Sequence, residues 1–361
     1  MSGIVVTFGE VMGRLDTLEY GKLAQDLPGN LRFTFAGAEA NVAASIAILG
    51  GAARFVTALP RHDLGDACVR RLRGLGMDTD FIVRSQGRLG TYYVETGANQ
   101  RPSKVIYDRE FSAVSLIEYT AFDWEAVFAG ASWLHISGIT PALSEQSARN
   151  SLEICKLAKQ YRLTVSCDLN FRKKLWRWQD GTPARDLARR TMPEILRYVD
   201  VLIANEEDAA DVLDIHAEGT EVESGQIAEQ AYAWVAEQIM RRFPHISQVA
   251  TTLRQSVSAT HNNWGAMLYS GNRAYYAPLD GSGHYAPYEI RSIVDRVGGG
   301  DSFAAGLVYA LNCGSYAPQD ALRFAAAASC LCHSIRGDFN FSTREEVELL
   351  MNGSASGRVQ R

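Results

Sequence analysis

Cysteine is sparse in this chain and poorly spaced for either a disulfide framework or a metal site: Cys68, Cys155, Cys167, Cys313, Cys330 and Cys332 are the six in 361 residues. No C-x-x-C pair occurs, and Cys330 and Cys332, two apart at helical spacing, point to different faces, so structural thiols are expected. Long apolar runs are missing as well. None reaches the roughly 20 residues that span a bilayer, and the start "MSGIVVTFGEVM" lacks the basic region, apolar stretch and cleavage site of a signal peptide. The expectation is a cytoplasmic protein without a membrane partner. Excess positive charge is also absent, since 36 Lys and Arg stand against 41 Asp and Glu for a net charge of -5. Apart from short groups such as "RRLR" (70–73) the arginines are scattered, which argues against nucleic acid. Two glycine signatures are missing too. Without G-x-x-x-x-G-K-[ST] there is no Walker loop, and without G-x-G-x-x-G a dehydrogenase is disfavoured.

What is present is a rhythm. Apolar, β-branched runs at 4–9, 54–59, 133–138, 163–170, 199–205 and 247–253 alternate with helical segments such as "SEQSARNSLEICKLAKQYR" (144–162). Near-continuous apolar strands separated by helices predict an α/β fold, a doubly wound, mostly parallel sheet with helices on both faces. Between residues 80 and 110, "DFIVR", "TYYVET" and "KVIYDR" follow one another with no helix between them. They read as a small antiparallel β-sheet inserted into the core as a lid, built from about 12–36 and 80–112, within a single domain of residues 1–350; residues 351–361 read as a disordered tail.

"DRVGGGDSFAAG" (295–306) places three glycines before an acid where a helix is about to begin. Read with "IRSIVD" (290–295) as a strand and "SFAAGLVYAL" (302–311) as a helix, the N–H groups of Gly298, Gly299, Gly300 and Asp301 would face an anion at a helix N-terminus. On spacing alone, Asp301 could equally be a helix cap.

The segment "DRVGGGDSFAAG" resembles the C-terminal signature of the ribokinase-like (PfkB) carbohydrate kinases, D-T-x-G-A-G-D-x-F-x-x-G, and "FAGAEANVAASIAILGG" (35–51) resembles their N-terminal one. The resemblance implies ATP-dependent phosphoryl transfer to a sugar hydroxyl, with Asp301 as general base and the Gly298–Gly300 amides around the transferred group. Gly299 stands where alanine is usual. Arg296 and Val297 stand where threonines are usual, at a place where Asp295 would hold a monovalent cation such as K⁺.

"GTYYVE" (90–95), "KVIYDREFSA" (104–113), "DLNFR" (168–172) and "IRGDFN" (335–340) are similar to the branch of the family that phosphorylates 2-keto-3-deoxygluconate. That similarity implies a sugar-acid site formed by Gly37, Ala38, Asn41, Tyr92, Tyr107, Arg109, Arg172 and Asp338. Planar guanidinium groups suit a carboxylate and tyrosine hydroxyls suit the polyol. Taken singly, Arg109 beside Asp108 also reads as half of a surface ion pair. ATP and Mg²⁺ are the implied cofactors. Asn170, Arg172, Asn205, Thr252, Arg254, Ser256, Gly298 and Gly300 would lie on the nucleotide side, with "ANEED" (204–208) carrying Asp208 toward Mg²⁺ through water. His261 and Asn262 read as a surface loop. A neutral-sugar kinase of fructokinase or ribokinase type, and a non-catalytic sugar-binding relative, are the alternatives. Assembly as a homo-oligomer through the lid is expected.

Overall fold

The structure, a computed structural model, describes residues 3–216 and 225–353. Its strands are β1 (Ile4–Phe8), β2 (Met12–Asp16), β3 (Arg32–Ala36), β4 (Ala53–Pro60), β5 (Ile82–Ser85), β6 (Thr91–Glu95), β7 (Lys104–Asp108), β8 (Ala131–Ser137), β9 (Thr164–Asp168), β10 (Val201–Ala204), β11 (Gln248–Ser258), β12 (His261–Ser270), β13 (Arg273–Ala277) and β14 (Tyr288–Ile290). The main sheet runs in the order β13-β12-β11-β10-β9-β8-β1-β4-β5, with β14 also on β12. From β5 to β11 all pairings are parallel; β12 turns back antiparallel on β11 and carries β13 and β14.

Both faces of this sheet are dry, which is why its strands read as continuous apolar runs rather than alternating ones. Along β1, Val6 and Phe8 pack with Ile154 of the helix Glu145–Gln160 and Met192 of the helix Ala184–Leu196. Val5 faces the other way, into a cluster with Ile46 of the helix Ala38–Ile48, Phe303 of the helix Gly299–Cys313 and Phe324 of the helix Pro318–Cys332. Each such side chain withdrawn from water contributes about 1.5–3 kcal/mol. The sheet therefore gives a rigid floor, and the loops at the carboxyl ends of its strands carry the polar residues. Among the described residues no helix is long and apolar enough to cross a membrane.

The lid is a separate four-stranded sheet in the order β3-β2-β6-β7. Two expectations about it are corrected. The "DFIVR" segment does not belong to the lid: β5 extends the main sheet in parallel with β4, where Ile82 packs against the core. Nor is the lid wholly antiparallel, since β2 and β6 run parallel. Its inner face carries Met12, Tyr92, Val94, Val105 and Tyr107, while Phe33 and Ile106 are exposed on the outer one.

Three further expectations change. Residues 290–295 are not a strand beyond Ile290, because the Ile293 and Val294 amides donate to the carbonyls of Thr260 and His333 instead of to a ladder. His261 and Asn262 are not a surface loop: they begin β12, paired with Ser258 and Ser256, and Asn262 is buried. Of the expected tail, Met351 closes the helix Arg344–Met351, and residues 354–361 lie outside the described residues.

Candidate active site

The glycine run ends at a helix start. Gly298 is the N-cap of the helix Gly299–Cys313, with φ 87°, and a Cβ there would run into the Asp338 carbonyl, so only glycine fits. At Gly299 a methyl would meet His333 Cε1 at 3.0 Å, which accounts for glycine where alanine is usual. The amides at the start of this helix have no carbonyl one turn behind them, so they are free to bind an anion.

Because Gly298 is the cap, the cap alternative for Asp301 is set aside. Asp301 lies in the first turn, and its Oδ2 accepts a 2.6 Å hydrogen bond from Asn41 Nδ2. Asn41 is itself held by its own helix start, where the Gly37 amide donates to Oδ1 at 3.2 Å. The two terminal signatures thus meet at one carboxylate, 260 positions apart. Burial pushes the Asp301 pKa up to about 7; Asn41 opposes the shift, while Asp338 and Glu39 add to it.

Asp301 lines a cavity of about 710 Å³ together with Gly37, Ala38, Asn41, Tyr92, Tyr107, Arg109, Asn170, Arg172, Asn205, Asp208, Thr252, Arg254, Ser256, Gly298, Gly299, Gly300 and Asp338. The lid closes one side of it. Tyr92 donates to Asp338 Oδ2 at 2.7 Å, and its ring centroid lies 6.4 Å from that of Tyr107. Arg109 is not half of a surface pair with Asp108, which binds Arg88 instead; it is buried and ion-paired with Glu10, Nε to Oε2 at 2.7 Å. Its charge reaches the cavity already balanced.

The sequence reading missed Arg14. Fully buried on β2, it donates to Asp338 Oδ1 and to Asp295 Oδ2, each at 2.6 Å, tying the lid to the loops of the core. Asp295 also accepts from the Val297 and Gly337 amides and is not among the residues lining the large cavity. The position named for a monovalent cation therefore already has a guanidinium beside it.

On the far side, Asn205 and Asp208 form a capping box on the helix Glu206–Leu213. Asp208 also accepts the Phe171 amide at 3.0 Å, and burial raises its pKa to about 6 against the pull of Arg172. Asp168, another residue missed, is buried in the same wall, and its pKa is raised by burial and then by Asp208 and Asp301. Arg172 is exposed and faces these three carboxylates. The remaining wall is rich in donors: Thr252, Arg254, Ser256, Asn262, Trp264 and Arg296. Such a set suits a polyphosphate. Among the described residues no group of three or more His, Cys, Asp or Glu is placed to hold a metal ion.

The pfkB family of carbohydrate kinases matches residues 4–343 of the chain. The chain belongs to that family. A 2-dehydro-3-deoxygluconokinase from Thermotoga maritima is 44% identical, covers 97% of this chain and 100% of its own, and superposes with a TM-score of 0.88. A 2-dehydro-3-deoxygalactonokinase from Haloferax volcanii is 30% identical over 99% of both chains. The same fold, with a TM-score of 0.74 at 20% identity over 97% of this chain and 99% of its own, occurs in an E. coli protein solved with ATP and Mg²⁺. This pfkB member is thus a carbohydrate kinase with a ribokinase-like fold.

Proposed function

We propose that the protein transfers the γ-phosphoryl group of ATP to the 6-hydroxyl of 2-keto-3-deoxygluconate, with Asp301 as general base. The observation that carries the reading is the placement of Asp301 directly beside the free amides of a helix start, on a cavity with tyrosines at one wall and donor groups at another. A sugar hydroxyl needs a proton acceptor within hydrogen-bond reach, and the transferred group needs donors fixed in advance. Asp301 supplies the first and the Gly298–Asp301 amides the second. Magnesium arriving with the nucleotide would neutralise phosphate charge near Asp208 and Glu207. Arg172, Tyr92, Tyr107 and Arg109 hold the sugar acid, with Asp338 fixed by Arg14 to receive its hydroxyls. The names of the relatives above support an acidic acceptor.

The Arg109–Glu10 pair favours a second reading, a neutral-sugar acceptor, because it leaves Arg172 as the cation available to a carboxylate on this side. The two readings differ in one measurement. In an ATP-consumption assay with the sugar acid, Arg172→Lys should raise KM at least tenfold, about one lost charged contact, and leave KM for ATP within a few fold. Arg109→Lys should act in the same direction. An unchanged sugar-acid KM in both variants would rule out the carboxylate clamp. The exposed Phe33 and Ile106 on the outer face of the lid support pairing of two copies there; sedimentation velocity should show a dimer, and a monomer would count against it.

A further inference from the structure

Asp295 begins the run that ends in the glycines, and both oxygens of its buried carboxylate are already surrounded by donors. Oδ1 accepts the Val297 amide at 3.1 Å, while Oδ2 accepts Arg14 Nη2 at 2.6 Å and the Gly337 amide at 3.1 Å. A metal cation binds the same lone pairs, and the protons aimed at them repel it. The residues that follow add nothing for such an ion. Val297 has no hydroxyl, and Arg296 brings a second guanidinium, held by Asn262 Oδ1 at 3.1 Å and the Ser258 carbonyl at 3.3 Å. The gap beside Asp295 is about 10 Å³, the size of one water. Asp295 is the one carboxylate on it, Val94, Ile293 and Val297 offer it no side-chain oxygen, and Arg296 borders it with a like charge.

We infer that the Arg14 guanidinium takes the place of a monovalent cation at Asp295, so that this kinase works without K⁺. A buried carboxylate three residues before Gly298 needs a partner, and left alone it would weaken the positive field of the amides at the helix start. Arg14 supplies the charge. Its planar fork reaches Asp295 with one nitrogen and Asp338 Oδ1 with another, each at 2.6 Å, a fixed two-point bridge that a spherical ion does not make. Asp16 lies 3.6 Å from Arg14 Nε and is itself paired with Arg32, which leaves the two terminal nitrogens to the aspartates of the core. Because Arg14 belongs to β2, the lid carries this charge covalently, and its presence at Asp295 does not depend on the salt in solution. The inference rests on the kinase reading for its turnover test alone.

The sugar-acid assay on the full chain, run in the chlorides of K⁺, Na⁺ and tetramethylammonium at equal ionic strength, tests this. Wild type should keep kcat and KM for ATP within about twofold in all three salts, and a larger activation by K⁺ would overturn the inference. Thermal melting gives a second readout that needs neither turnover nor acceptor. Wild type should melt at the same temperature in K⁺ and in tetramethylammonium. Arg14→Ala opens the space between Asp295 and Asp338, and it should melt about 2 °C or more higher in K⁺. A wild type stabilised by K⁺, or a folded Arg14→Ala indifferent to it, would contradict the replacement; if that variant does not fold, the wild-type comparisons decide. A wild type that phosphorylates none of the sugars would instead refute the proposed function, and the melting comparison would still judge Arg14.

Discussion

An aspartate in the first turn of a helix is ordinarily ionised and stabilising, because the dipole favours its charge. Asp301 departs from this because burial outweighs the dipole, leaving its pKa near 7. A base so poised is half ionised at neutral pH, and kcat should rise with pH through about 7 and level off above it. Asp301→Asn should bind both substrates and lose about 10²- to 10⁴-fold in kcat. The shift also has a stability consequence. With the folded pKa above the ordinary 3.8, the folded state keeps a proton that the unfolded chain releases, so this contribution is full below pH 4 and is lost as pH rises through about 7. The Asn variant should therefore melt above wild type at pH 8, with the gap shrinking toward pH 4 in scanning calorimetry. Equal melting temperatures at pH 8 would contradict a buried, ionising Asp301. Asp301 was legible from its glycines, and Asn41 from the first signature. Arg14 was not, because its meaning lies in Asp295 and Asp338, 281 and 324 positions away.

At the scale of elements, the Arg14 guanidinium joins the lid to the core beside the Tyr92–Asp338 hydrogen bond. Arg14→Met would leave two buried aspartates without their cation, a loss of roughly 3–5 kcal/mol where no relaxation intervenes. The melting temperature should fall and the sugar-acid KM should rise, since Asp338 loses its anchor. If the melting temperature is unchanged, the lid is held by something else. Lid strands β6 and β7 should also gain hydrogen-exchange protection on binding the sugar acid, because Tyr92 and Tyr107 line the closing wall; unchanged protection across residues 91–108 would count against closure. The lid strands and their separate sheet were legible, except that "DFIVR" belongs to the main sheet. A short run such as "DFIVR" has the same apolar pattern whether it joins a lid or the edge of a main sheet, and only its partner, β4, decides. Residues 290–295 misled for a related reason: their amides are satisfied by loops, which leaves no periodic trace.

For the whole molecule, the alternation of apolar strands and helices was enough to give the sheet and its layers, since burial on both faces demands it. The charge was less informative. A net charge of -5 does not attract two anionic substrates, so local cations must outweigh the wider field, and where they sit depends on the folded wall. The account as a whole is tested most directly by kcat/KM for ATP-dependent phosphorylation of 2-keto-3-deoxygluconate, its 4-epimer 2-keto-3-deoxygalactonate, fructose and ribose by the wild-type protein. A charged contact of roughly 1.5–3 kcal/mol predicts a preference for the sugar acids of at least one to two orders of magnitude over the neutral sugars. Equal efficiency with fructose or ribose, or no phosphorylation of either acid, would contradict it.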